Sequence, residues 1–243
     1  MNVVAIFGPT AVGKTGVAIA LAETLRGREV ESVAISCDAL QVYEGLGRLT
    51  GVASAEERAR LEHRLIEFVP LTQPFSVGDY MSLAHAEIDK ALEAGRQPIV
   101  VGGTGLYLRA AVAELSLVKL PPETADSELW SPDTRHPTAI FGLDMDREEL
   151  YRRIDTRTEQ IVASGAREEV LQAEATGPSR TARKALGFDE LLGGDLDLMK
   201  KRSRNYARRQ LTWMRKIPNL HPIDRTGRDD ADVAAEILAV LGE

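Results

Sequence analysis

The sequence predicts an α/β protein: a P-loop-type parallel sheet flanked by helices, with a helical C-terminal part. Three observations carry that prediction. Residues 3–7, 30–36 and 98–101 are short runs of mostly apolar, often β-branched side chains, as strands buried on both faces require. Segments with apolar residues at helical spacing alternate with these runs, the pattern that lays helices on the faces of a parallel sheet. Between the first run and the first helical segment stands a loop holding Gly8, Gly13, Lys14 and Thr15. A chain of 243 residues suits one such domain, and residues 1–243 are read as one.

In chain order, residues 3–7 are the first strand, 15–25 the helix after the loop, and 30–36 the second strand. Residues 76–94 read as a helix, with Ser76 as N-cap, Asp79 three residues on and Gly95 just past the end. Residues 98–101 are the third strand and 104–113 a helix. Residues 116–137 hold Pro121, Pro122, Pro132 and Pro137 with little periodicity, and read as a connector. A strand at 139–145 leads into a helix at 146–163, which opens on Asp146 with Glu149 three residues later, in the manner of a capping box. Residues 166–175, 181–192 and 195–216 read as helices, 220–224 as a late strand and 229–241 as a closing helix.

Apolar residues make up 44% of the chain and charged residues 28%, which excludes wholesale disorder. A single cysteine, Cys37, excludes a disulfide framework and a cysteine-rich zinc site. His63, His85, His136 and His221 show no metal-ligand spacing. No apolar run approaches the length of a membrane span, and Met1 leads almost directly into a strand, so the expectation is a cytoplasmic protein with no membrane partner. The net charge of −7 argues against a nucleic-acid partner, but its distribution does not. Residues 200–216 carry Lys200, Lys201, Arg202, Arg204, Arg208, Arg209, Arg215 and Lys216 and no acid. Such a stripe on an acidic body attracts RNA or polyphosphate locally while the body repels non-specific contacts; the alternative is a solvated helix face.

The loop Gly8-Pro9-Thr10-Ala11-Val12-Gly13-Lys14-Thr15 fits the phosphate-loop pattern G-x-x-x-x-G-K-[ST] in its strand–loop–helix context. Its glycines let the backbone curl so that N–H groups face phosphate oxygens, and the helix N-terminus adds positive potential. Lys14 supplies a point charge, and the Thr15 hydroxyl can hold Mg²⁺. The loop specifies a polyphosphate and not ATP. The strand at 98–101 ends in Gly102-Gly103-Thr104-Gly105 without the acid that hydrolysing enzymes place there. The acid stands instead just past the second strand, at Asp38, where a carboxylate can act as a base toward an acceptor.

Six segments in order then carry a resemblance. G-P-T-A-V-G-K-T, I-S-C-D-A-L-Q-V-Y, S-V-G-D-Y, P-I-V-V-V-G-G-T-G-L-Y-L-R-A, G-L-D-M-D-R-E-E-L-Y-R-R-I-D and R-N-Y-A-R-R-Q-L-T-W-M-R together resemble the tRNA dimethylallyltransferases. The resemblance runs from Ile6 to about Arg215. It implies transfer of the dimethylallyl group of dimethylallyl diphosphate to N6 of the adenosine 3′-adjacent to the anticodon of tRNA, with Mg²⁺, by a monomer. Asp38 matches the family's catalytic aspartate, and Thr10 and Thr104 match positions near the diphosphate and the adenosine. With Lys14, Asp38 and Thr104 form the expected catalytic set. Gly8 to Thr15, with Tyr206, Arg208 and Arg209, would hold the diphosphate, and Thr15 the metal. Asp38, Ala39, Leu40, Gln41 and Thr104 would meet the tRNA, whose base must leave the anticodon-loop stack to react.

The chain also departs from that family. Ala39 stands where a serine is common, Glu44 where an arginine is, and Leu49-Thr50-Gly51-Val52 lacks the lysine of a G-T-A-K segment. Glu62-His63-Arg64 replaces a paired histidine, and an expected arginine falls near Trp130. Residues 116–137 occupy the place of a helical insertion that grips the anticodon stem. Three other readings stand beside this one. A prenyltransferase of free adenine nucleotides (AMP) is similarly short. A small-molecule P-loop kinase would need ATP turnover. A shortened paralogue would bind RNA or diphosphate without turnover.

Overall fold

The apolar runs pair into one sheet whose strands are all parallel. The computed structural model describes residues 2–116 and 127–242. Strands β1 (Val3–Phe7), β2 (Ser32–Ser36), β3 (Glu62–Arg64), β4 (Gln97–Gly102), β5 (Thr138–Asp144) and β6 (Leu220–Asp224) lie in the order β3-β2-β4-β1-β5-β6. The alternation of the pleat divides the core. Val4 and Ile6 of β1 join one apolar cluster, while Val3, Ala5 and Phe7 join the other on the opposite face.

Helices α1 (Lys14–Arg26) and α10 (Asp230–Leu241) supply Val17, Leu21, Val233 and Ile237 to the first cluster. Helices α4 (Val77–Glu93) and α5 (Gly105–Val112) supply Tyr80, Ala84, Ile88 and Leu108 to the second. Short helices α2 (Gly47–Thr50) and α3 (Ala55–Arg60) precede β3. The helical C-terminal part is α6 (Arg147–Ala163), α7 (Ala166–Ala175), α8 (Phe188–Gly193) and α9 (Leu196–Met214). Among the described residues no helix is long and apolar enough to cross a membrane.

Local sequence explains most boundaries. Ser76 and Asp79 exchange side-chain and backbone hydrogen bonds in a reciprocal capping box at α4. Asp146 accepts from the N–H groups of Glu148 and Glu149 at the start of α6. Asp195 accepts from Leu198 N at 2.9 Å, so the helix expected over 195–216 runs Leu196–Met214. Three expectations are corrected. Strand β2 begins at Ser32 and not at Val30, because Glu29 has φ 64° and the N–H of Val30 bonds back to Leu25 O at 3.0 Å. Residues 181–192 are not one helix: a 3₁₀ turn at Ala182–Lys184 gives way to an extended Ala185, and Gly187 at φ 96° starts α8. A Cβ on Gly187 would lie 2.5 Å from Met199 Cε, so the break lets α8 close onto α9. Strand β3 was not expected; it is a short edge strand of half-buried Glu62, His63 and Arg64 with no apolar signature.

The expected connector at 116–137 lies partly outside the described residues. Its described part is held by Arg109 of α5, which is 0% exposed and donates to Leu129 O and Ser131 O, each at 2.9 Å. The N–H of Arg135 bonds to Val112 O at 2.8 Å.

What positions the site is the register of three neighbouring strands. Ser36 of β2 pairs with Val101 of β4, and Phe7 of β1 with Gly102. The carboxyl ends of β2, β4 and β1 are therefore level, and the chain segments leaving them converge on one edge of the sheet, where open α/β sheets bind ligands.

Candidate active site

The phosphate loop leaves β1 and turns through two left-handed residues, Ala11 at φ 64° and Gly13 at φ 91°. It is clamped from behind. The buried Arg225, just past β6, donates Nη1 to Val12 O at 2.8 Å and to Gly13 O at 2.9 Å, and its Nη2 pairs with Asp230 of α10. Because a peptide plane points its N–H opposite to its C=O, the amides of Gly13 and Lys14 face away from Arg225, as anion binding requires. A Cβ on Gly13 would lie 1.9 Å from Arg225 Nη1, so this glycine is needed for the close approach as well as for its φ. Not every loop amide is available: Thr10 N–H is taken by Gln210 Oε1 at 2.8 Å. Lys14 reaches back across the loop, donating Nζ to Gly8 O at 3.0 Å and Pro9 O at 2.9 Å. Burial pulls the Lys14 ammonium down to about 8; the Arg157 cation adds to that fall and Asp38 opposes it.

Past β2, Asp38 is half-buried and closes an Asx turn, its Oδ1 accepting from Leu40 N at 3.0 Å. Past β4, the hydroxyl of Thr104 makes no cap to its own helix. It accepts the N–H of Ala39 at 3.3 Å, and so ties the segment after β4 to the segment after β2. Helix α9 closes over both. The Tyr206 hydroxyl points at Gly103 O at 3.5 Å, and burial and the Asp38 charge push its phenol above the usual range. Gln210 donates Nε2 to Gly103 O at 2.8 Å. A Cβ on Gly103 would lie 2.2 Å from Gln210 Nε2, and one on Gly105 1.9 Å from Trp213 Nε1, so the glycines of G-G-T-G let α9 come this close. Burial and Asp38 hold the Cys37 thiol protonated, far above its usual range, so it is no nucleophile.

These walls enclose a cavity of about 770 Å³. Lys14, Thr15, Asp38, Tyr206 and Gln210 are among its polar lining, and Leu49, Ile154, Ile161, Leu186 and Met199 among its apolar lining. Arg157 of α6 also lines it and was missed in the sequence. Arg157 has no acidic partner within ion-pair distance among the described residues, although Asp38 and Glu57 raise its pKa against the lowering effect of burial. A signal for it existed: Leu150, Ile154 and Thr158 are the buried stripe of α6, and Arg157 is a cation placed beside that stripe. Gln210 and Arg225 were also unassigned.

Other expected site residues lie differently. Thr10, Ala11, Gly13, Leu40 and Gln41 line the cavity, whereas Gly8, Pro9, Val12, Ala39 and Thr104 stand behind its lining. Gln41 is committed to structure, accepting from Ser36 Oγ at 3.1 Å and donating to Gly51 O at 3.1 Å. Arg208 and Arg209 are exposed on α9 and do not line the cavity. Among the described residues no group of three His, Cys, Asp or Glu forms a metal cage. The Thr15 hydroxyl on the cavity lining suits Mg²⁺ shared with a bound diphosphate, since that ion keeps waters and phosphate oxygens as ligands.

Comparison with known proteins agrees with this geometry. The family described as IPP transferase matches residues 41–135 and 119–217. A tRNA dimethylallyltransferase of Natranaerobius thermophilus is 30% identical, covering 98% of this chain and 91% of the relative; the alignment runs over 304 positions, more than the 243 residues present here. One of Bifidobacterium adolescentis is 32% identical over 90% of this chain and 83% of its own. The solved full-length tRNA isopentenylpyrophosphate transferase of Bacillus halodurans superposes with a TM-score of 0.84 at 28% identity, covering 99% of this chain and 95% of that one. The family match over residues 41–217 and relatives of this extent, on a chain whose cavity joins a phosphate loop to a carboxylate, make it a member of the IPP transferase family.

Proposed function

We propose that this protein transfers the dimethylallyl group of dimethylallyl diphosphate to N6 of an adenosine in tRNA, the one 3′-adjacent to the anticodon, and releases diphosphate. The observation that carries it is the placement of Asp38 in one cavity with Lys14, Arg157 and the apolar side chains of Leu49, Ile161, Leu186 and Met199. Two cations that make no ion pair among the described residues suit a diphosphate. Leu49, Ile161, Leu186 and Met199 suit a five-carbon chain.

In the reaction the N6–C bond forms as the allylic C–O bond breaks, and the electron pair of that bond leaves on the diphosphate. Lys14, Arg157 and the loop amides of Gly13 and Lys14 hold that growing charge. The Asp38 carboxylate takes the proton that N6 sheds. Tyr206, which lines the cavity with Asp38, orients the adenine, and Thr104 behind that lining holds the segment that carries Asp38 through the Ala39 amide. Mg²⁺, held by Thr15 and the diphosphate oxygens, would add Lewis-acid neutralisation of the leaving group. In this reading Tyr206 borders the site, and Arg157 holds the anion in place of Arg208 or Arg209, which do not line the cavity.

In this reading the whole chain acts as one domain and as a monomer. A tRNA substrate puts the reaction in the cytoplasm. Residues 116–137 stand where longer relatives carry additional chain. The excess length of the alignment and the division of the family match near residues 119–135 support that reading.

The test is parallel incubation of the purified chain, dimethylallyl diphosphate and Mg²⁺ with an anticodon stem-loop or with AMP, followed by mass analysis of the nucleosides. Prenylated adenosine in the stem-loop is expected. Prenylation of AMP alone, or nucleoside triphosphate hydrolysis without prenylation, overturns the assignment.

A further inference from the structure

With no acidic partner within ion-pair distance among the described residues, the Arg157 guanidinium has to be fixed by something else. It lies against bare backbone. A Cβ on Gly51 would stand 1.9 Å from Arg157 Nη2 and 3.0 Å from Arg157 Cζ, so the guanidinium fills the space that a side chain at 51 would take. Gly51 is the residue that ends α2, in the left-handed region at φ 63°. Where α2 sits therefore decides where this cation sits.

A helix of four residues has no stability of its own, and its first amides lack partners within the helix. Both ends of α2 are held from outside. At its C-terminal end the Gln41 amide donates to Thr50 O at 3.3 Å and to Gly51 O at 3.1 Å. At its N-terminal end the Glu169 carboxylate accepts the N–H of Arg48 at 3.0 Å on one oxygen and the N–H of Leu49 at 2.8 Å on the other. Such charge-assisted bonds are about twice as strong as neutral ones. Glu169 is half-buried and is not among the cavity lining. It belongs to α7, which follows α6 after a turn where Gly165 has φ 90°. The helix pair that carries Arg157 thus also carries the strut for the surface on which Arg157 rests.

We propose that Glu169 is a positioning residue for the anion site: by gripping the first amides of α2 it sets Gly51, and through Gly51 it sets the Arg157 guanidinium in the cavity. The same grip sets Leu49, whose N–H is one of the two it accepts, on the apolar lining. Glu169 meets no substrate and acts only through α2. The proposal rests on Arg157 holding the diphosphate, as in the function proposed above.

The test is calorimetry of the full chain with inorganic diphosphate and Mg²⁺. Glu169→Ala and Gly51→Ala should each weaken binding about tenfold, within the range for residues that act through one another. Glu169→Gln keeps one accepting oxygen and should lose less. Glu168→Ala removes the neighbouring exposed carboxylate of α7 and should bind as the wild-type chain does. The double-mutant cycle decides. In an Arg157→Gln background neither Glu169→Ala nor Gly51→Ala should weaken binding further, because the group they position is gone. A merely structural role would weaken binding equally in both backgrounds, and such additive losses overturn the proposal. So does wild-type affinity in Glu169→Ala, or in Arg157→Gln. Should Glu169→Ala fail to fold, Glu169→Gln carries the same cycle. If the coupling is found but no adenine is prenylated, the dimethylallyl reading falls and the positioning role of Glu169 stands.

Discussion

The side-chain carbonyl of Gln210 accepts the backbone N–H of Thr10 at 2.8 Å, joining the phosphate loop to a helix 200 residues further along the chain. The same side chain donates to Gly103 O at 2.8 Å, so one amide spaces the segment after β1 from the segment after β4. Gln210→Ala leaves a buried donor and acceptor unmatched and should cost about 1–3 kcal/mol of stability. It should also lower kcat/KM for dimethylallyl diphosphate roughly tenfold through misplacement of the loop. Gln210→Glu keeps the acceptor for Thr10 but loses the donor to Gly103, and should recover part of the loss. Steady-state kinetics with thermal unfolding checks both; full activity in Gln210→Ala removes it from the positioning of the site.

Asp38→Asn should lower kcat about a hundredfold or more, the range for losing a positioned base. Binding of inorganic diphosphate should stay the same or tighten, because a negative charge beside Lys14 and Arg157 is removed. Calorimetry on the variant separates the outcomes: lost diphosphate binding would make Asp38 a structural residue.

Lys14 titrates near 8 because burial and the Arg157 charge disfavour its ammonium. Diphosphate affinity in the wild-type chain should therefore fall as pH rises through about 8, where the free protein loses that charge. Arg157→Gln should weaken binding at neutral pH and move the break upward, since the neighbouring cation is gone. For the fold the sign is opposite. With the folded pKa below the unfolded value, the native state holds fewer protons between about 8 and 10.5. The penalty on burying the charge is in force below that window and is relieved as pH rises through it. Binding measured across pH, in both chains, tests the assignment.

Gly13→Ala should be severe. The residue sits at φ 91°, and the new methyl carbon would meet Arg225 Nη1 at 1.9 Å. A loss of about 2 kcal/mol or more is expected, with diphosphate binding abolished. Gly95→Ala is the control for backbone strain alone, since φ there is 66° with nothing within 4 Å of the added carbon. It should cost less stability and leave diphosphate affinity unchanged.

Features set by neighbouring residues were legible in the sequence. The apolar runs located β1, β4 and β5, the Ser76–Asp79 spacing located the start of α4, and the phosphate loop needed only eight consecutive residues. What failed depends on distant partners. Arg225, Gln210 and Arg157 look like ordinary polar residues of a strand end and two helices; only the folded chain puts them on the loop or in the cavity. Thr104 reads locally as a helix cap, and the nearby Ala39 amide takes its hydroxyl instead. Arg208 and Arg209 share a segment with Tyr206, but at about 100° per residue a step of two or three residues turns them from the cavity toward solvent.

The phosphate loop is written within the first fifteen residues, yet the two side chains that brace it are Gln210 and Arg225. During synthesis the motif leaves the ribosome long before its braces do. A nascent chain cut short after α8 holds every letter of the motif and lacks its working shape, so competence arrives late and all at once. By the same reasoning, a protease that nicks the turn between α8 and α9 and frees the distal piece would disarm the enzyme while leaving the phosphate-loop motif itself uncut.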